Sequence, residues 1–94
     1  MTQFQFSPEA WNRNNIRLTN QIFKLLPMFE NGEDWLKQRE TIVLELKGYD
    51  AMFEDNHGFM ILIGKLCALP FCEDNFAFRK TVFEAITALK EITL

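Results

Sequence analysis

The chain has 94 residues, a length that supports one domain with a single hydrophobic core and excludes a two-domain enzyme. Hydrophobic residues make up 48% and phenylalanine occurs ten times, too much apolar surface for a disordered tail. The net charge of −3 argues against a general nucleic-acid binder, which needs a clustered excess of Lys and Arg.

The opening stretch MTQFQFSPEAW lacks the basic segment and apolar run of a secretory signal, and no stretch approaches the roughly 18 apolar residues of a membrane span. A cytosolic protein is expected. With only two cysteines, both thiols are expected to be reduced and no disulfide is needed.

The first helix is predicted over 8–26. Ser7 is its N-cap, Pro8 suits the first helical position and Glu9 faces the positive end of the dipole. Trp11, Leu18, Ile22 and Leu25 fall on one side, extended by Ile16, Phe23 and Leu26, while Arg13, Arg17 and Lys24 fall opposite. Pro27 is expected to close this helix. After the acidic connector MFENGED, Asp34 caps a second helix predicted over 35–47, stopped by Gly48. Its buried face is Trp35, Ile42 and Leu46 with Leu36 and Val43 alongside.

YDAMFEDNH gives one short helical turn carrying Met52 and Phe53. The third long helix is predicted over 56–69, in preference to a strand because of its length and its Gly64-Lys65 interruption. Its apolar residues, Phe59 to Ile63, Leu66, Cys67 and Leu69, circle most of the axis, the pattern of a central helix, and Gly64 offers room for a close neighbour. Asp74 caps the last helix, predicted over 75–92, with Phe76, Val82, Phe83, Ile86 and Leu89 at core spacing. No alternating strand pattern occurs, so the expected fold is all-α: a compact antiparallel bundle of four long helices plus one short helical turn.

Chemistry-bearing residues are few. Cys67 and Cys72 are separated by four residues including Pro70 and have no second Cys or His pair, so a zinc site is not expected. Cys67, among Ile63, Leu66 and Leu69, reads as packing, and the acidic neighbours of Cys72 disfavour a thiolate. His57 reads as a polar residue at a helix start, with no nucleophile at a spacing that pairs with it. The acidic clusters flank helix starts, where they complement the dipole. No phosphate-cradling loop, zinc-binding helix motif or nucleophile elbow appears, and the expectation is a protein without cofactor or enzymatic activity.

The charge pattern is more distinctive. Arg13, Arg17 and Lys24 form either a solvated face or an interface. Tyr49, Asp50, Phe53, Glu54 and Asp55 form an acidic, aromatic corner complementary to it, and such a heterologous pairing builds open assemblies when rotation does not close a ring. Phe71 and Phe78 add candidate apolar anchors.

The order LTNQIFKLLPMF, an acidic connector, LKQRETIVLELKG, HGFMILIGKLCALP and FRKTVFEAITAL resembles the small helical effector-associated domains, also described as bacterial death-like domains, over about residues 16 to 90. The resemblance implies a death-fold-like bundle and an adaptor that recruits or assembles effectors in bacterial antiphage conflict systems, by association with a like domain or with itself. It also implies fold-defining roles for Leu26, Pro27, Arg39, Gly48, Phe59 and Leu66, and carries no catalytic residues. The alternative is a small phage- or plasmid-encoded inhibitor that sequesters a nucleotide signal or an enzyme, with Arg13, Arg17 and Lys24 meeting phosphate and Trp11 or Tyr49 stacking on a base.

Overall fold

The computed structural model describes residues 7–94; the MTQFQF portion of the opening stretch lies outside them. The described chain is all-α: α1 (Pro8–Phe23), α2 (Leu25–Glu30), α3 (Trp35–Met52), α4 (Gly58–Ala68), a 3-10 turn (Leu69–Phe71) and α5 (Asn75–Glu91). No helix among them is long and apolar enough to cross a membrane.

Three helix starts form as the sequence predicts. Ser7 Oγ accepts the Ala10 amide at 3.1 Å, an Asp34 oxygen accepts that of Lys37 at 3.3 Å, and an Asp74 oxygen accepts that of Ala77 at 2.8 Å. Each satisfies an amide that the first helical turn leaves without a partner.

Long-range pairs fix the topology. Trp11 meets Ile92, Asn15 meets Leu89 and Phe23 meets Phe83, so α1 and α5 run antiparallel. Arg17 pairs with Glu45 and Trp11 with Tyr49, which sets α3 antiparallel to α1, and Lys65 pairs with Glu84 while Gly58 lies against Ile92, which sets α4 antiparallel to α5. The result is an up-down-up-down bundle in which each long helix runs against its neighbours. Its core is Leu18, Ile22, Ile42, Leu46, Leu62, Leu66, Val82, Ala85 and Leu89, all at 0–1% exposure.

Aromatic rings close both ends. At one end Phe59 is fully buried against Trp11 and Tyr49, each with ring centroids 5.7 Å away, and Trp11 Nε1 donates to the Ile92 carbonyl at 3.2 Å. At the other Phe78 stacks on Phe29 at 4.0 Å and meets Trp35 edge-on at 4.9 Å. Gly58 is required at the first end, because a Cβ there would lie 2.7 Å from Ile92 Cγ1. Gly32, at φ +71°, makes the turn between α2 and α3 that other residues rarely adopt.

Several boundaries and faces differ from expectation. α1 ends at Phe23, not 26, and Pro27 lies inside the separate helix α2. It occupies the third position there, where its missing amide hydrogen breaks no intrahelical bond. Gly48 does not stop α3, which runs on to Met52, so the separate short turn expected at Met52 and Phe53 is the end of this helix. The inward side chains of Leu46 and Tyr49 straddle Gly48, and their packing outweighs its propensity penalty of about 1 kcal/mol. α4 starts at Gly58 and is not central: Met60 and Ile61 are 62% and 58% exposed, and Cys67 is exposed, not packed. On α5, Phe78 is buried and Phe76 exposed, the reverse of expectation, because Phe78 shares the turn spacing of Val82, Ala85 and Leu89. Ile16, Phe23, Leu36 and Phe83 also remain substantially exposed.

This exchange of phenylalanines is measurable. Phe78→Ala is expected to lower the unfolding free energy in urea by about 3–5 kcal/mol. Phe76→Ala, on the surface, should change it by less than about 0.5 kcal/mol.

Candidate interaction surface

The three basic residues of α1 do not share one stripe. Arg13 and Lys24 are exposed, whereas Arg17 turns onto α3 and is half-buried. Arg17 Nη1 donates to Glu45 Oε1 at 3.0 Å and Nη2 to Glu45 Oε2, a two-pronged pair that Asn14 and Gln21 extend with their side-chain oxygens. The Tyr49 hydroxyl donates to Glu45 Oε2 at 3.2 Å. The Arg17 hydrogen bonds hold the Glu45 carboxyl below its usual range, and Glu45 in turn raises Arg17. Burial, then the Glu45 charge, pushes the Tyr49 phenol up. This network ties α1 to α3 and occupies the guanidinium that the sequence offers to a partner.

Tyr49 and Phe53, expected to be exposed, are half-buried against the aromatic end of the core, with Phe53 6.2 Å from Phe59. Burying these rings leaves the acidic corner with Asp50, half-buried, and with Glu54 and Asp55, exposed. Glu54 and Asp55 border a shallow depression with Asn56, His57 and Leu94, where the α3–α4 connector meets the last residues of the chain. Trp11, at 3% exposure, has its indole within the core and cannot stack on a base.

The thiols and the imidazole are dispersed. Cys67 lies on the outer face of α4, Cys72 is half-buried with its sulfur 3.6 Å from Thr81 Oγ1, and His57 sits at the opposite end of α4. Among the described residues, no three His, Cys, Asp or Glu side chains cluster in a way that could hold a metal ion. Of the positions that the family resemblance marks, Leu26, Phe59 and Leu66 are buried, Arg39 is half-buried, and Pro27 and Gly48 lie on the surface.

A different surface emerges along the α1–α5 seam. Phe23 and Phe83 meet edge-on at 5.7 Å with about two-fifths of each ring exposed, and Ile16 and Phe76 extend the strip at 63% and 75% exposure. Charges of both signs border it. Lys90 lines the depression that holds Ile16; the one that holds Phe83 is lined by Lys80, by Glu84 and Glu91, and by Ile61 and Lys65 of α4; and Arg13 and Lys24 are exposed on α1 itself. The sequence hides this strip because Ile16, Phe23, Phe76 and Phe83 sit at the margin of each helix's apolar arc, where spacing alone does not separate core from rim. Comparison of the chain with protein-family models, curated proteins and solved structures finds no match. The fold defines the class as an all-α, up-down helical bundle.

The Glu45 pair has a pH signature. Because the folded carboxyl titrates below its ordinary value of 4.5, its contribution is present above that pH and is lost as pH falls through the lower, folded value. Both partners are partly solvated, so the contribution should stay within about 1 kcal/mol. Chemical denaturation from neutral pH down to acid should show Glu45→Gln losing less stability than the wild type below that pH.

Proposed function

We propose that this chain is a non-enzymatic adaptor that recruits an effector protein through a helical-bundle contact. The single observation that carries the proposal is the α1–α5 strip: four large apolar side chains, Ile16, Phe23, Phe76 and Phe83, with the cations Arg13, Lys24, Lys80 and Lys90 and the acids Glu84 and Glu91 at its border. An apolar centre with a charged rim is the anatomy of a protein interface. Its border carries charges of both signs, and opposite charges matched across a rim select partner and orientation. The resemblance to the effector-associated, death-like domains points the same way, towards recruitment in bacterial antiphage systems.

 Arg17, held by Glu45, leaves the set of available cations, and Lys80 and Lys90 join Arg13 and Lys24 at the rim.

The test is a surface variant, Phe76→Asp with Lys24→Glu and Lys80→Glu. All three positions are exposed, so its circular dichroism and thermal unfolding should stay close to the wild type. Cross-linking in host cells followed by mass spectrometry is expected to capture an effector protein with the wild type and to lose it with the variant. An identical set of cross-linked proteins for both chains would overturn the assignment of this face.

A further inference from the structure

α5 ends at Glu91 without a local stop signal. The stretch KEITL holds no glycine or proline, yet Ile92 leaves the helix in an extended conformation, at φ −77° and ψ 121°. Contacts with other elements turn the chain here. The Ile92 side chain is buried at 4% exposure, its carbonyl accepts the Trp11 indole N–H at 3.2 Å, and Asn15 Nδ2 donates to the Leu89 carbonyl at 3.0 Å. The two α1 side chains thus satisfy carbonyls that the end of a helix leaves without a partner.

Two further ties come from the start of α4. Asn56 Oδ1 accepts the Gly58 amide at 2.9 Å, and Asn56 Nδ2 donates to the Thr93 carbonyl at 3.4 Å. Only this orientation of the side-chain amide gives the backbone N–H an acceptor and the carbonyl a donor. One residue therefore caps α4, where His57 makes no side-chain cap, and clasps the segment that follows α5. The other tie is steric. A Cβ on Gly58 would lie 2.7 Å from Ile92 Cγ1, so Ile92 seats only against glycine.

These ties are weaker than those of the core layers. Among residues 92–94 only Ile92 is buried, while Thr93 and Leu94 are exposed and the Asn56–Thr93 bond is long and lies at the surface. A segment held by one buried side chain and solvent-exposed hydrogen bonds opens at a lower free energy than the core. Its opening leaves α5 whole, since that helix ends at Glu91. Ile92 is also a wall. Ile61, Ala88 and Glu91 line both the depression that holds Phe83 and a second one with Asn56, Gly58 and Ile92, so one groove runs between α4 and α5 and stops at Ile92.

We propose that Ile92 and Thr93 form a latch, clasped by Asn56 and seated against Gly58, that opens while the four long helices stay folded and thereby opens this end of the α4–α5 groove. The latch is a property of the chain alone. Only the identity of what enters the groove rests on the adaptor reading, and a negative cross-linking result at the α1–α5 strip bears on that reading without touching the latch.

Hydrogen exchange followed by NMR on the full chain, with no partner added, tests it. In the wild type the Ile92 amide and the Trp11 indole proton are expected to share one protection factor, about tenfold or more below those of the Leu66 and Val82 amides. Asn56→Asp keeps an acceptor for the Gly58 amide and removes the donor to Thr93. It should lower the protection of both reporters by about fivefold and leave the core amides unchanged. Gly58→Ala should lower it as well, but have no further effect once Ile92→Ala has removed the atoms that the new methyl would strike. Reporters that exchange only with the core amides, or at rates unrelated to each other, would overturn the proposal. So would reporters unchanged in Asn56→Asp, or additive effects at positions 58 and 92.

Discussion

A chain of 94 residues buries a smaller share of its surface than a larger domain does, so its core depends on how well the ends of the bundle are closed. Here the closure is aromatic. Phe59 fills one end between Trp11 and Tyr49, and Phe78 fills the other between Phe29 and Trp35, with the aliphatic layers of the four long helices between them. Large flat rings cover a bundle end efficiently and gain edge-to-face or stacked contacts beyond their area. The rest of the structure follows from these closures. α2 exists as a separate turn because Phe29 must reach Phe78, and α3 continues past Gly48 because Tyr49 and Phe53 must reach Phe59.

The same closures explain what the sequence makes legible. Ser7, Asp34 and Asp74 are correctly read as caps because capping is local: one side-chain oxygen, one amide three residues on. Helix type and core positions such as Leu18, Ile22, Ile42, Leu46 and Leu89 are legible because their spacing repeats. Pro27 and Gly48 mislead because punctuation is conditional. Proline is tolerated in the first turn of a helix, and a glycine in mid-helix yields to tertiary packing. Phe76 and Phe78 are two residues apart, and only the packing partners Phe29 and Trp35 decide which of them is inside.

The interaction surface was less legible than the fold. Arg17 sits beside Arg13 in the α1 charge pattern, but Glu45, 28 residues away, claims it, and no local spacing reports a pair of that range. Tyr49 and Phe53 stand in a segment rich in acids, which gives them the appearance of surface residues, while their rings serve the core. What the sequence did hold was the unusual apolarity of α4. A helix apolar on all sides is usually enclosed, and the bundle has too few helices to enclose it.

With 48% hydrophobic residues, the chain carries more apolar side chains than its core takes in, and where the surplus lies matters more than its amount. Single exposed apolar residues, such as Leu44 at 63% exposure, are ordinary on a small protein and imply nothing. Clustering is different. Along α4, Met60, Ile61 and Phe71 are exposed, and along the α1–α5 seam Ile16, Phe23, Phe76 and Phe83 are exposed beside charges of both signs. A surplus left by composition alone would be scattered among charges, since each exposed apolar contact between chains favours aggregation. The two sets meet in the groove that Ile61 and Phe83 line together with Lys80, Glu84 and Glu91, so the exposed apolar side chains are contiguous and lie among charges of both signs.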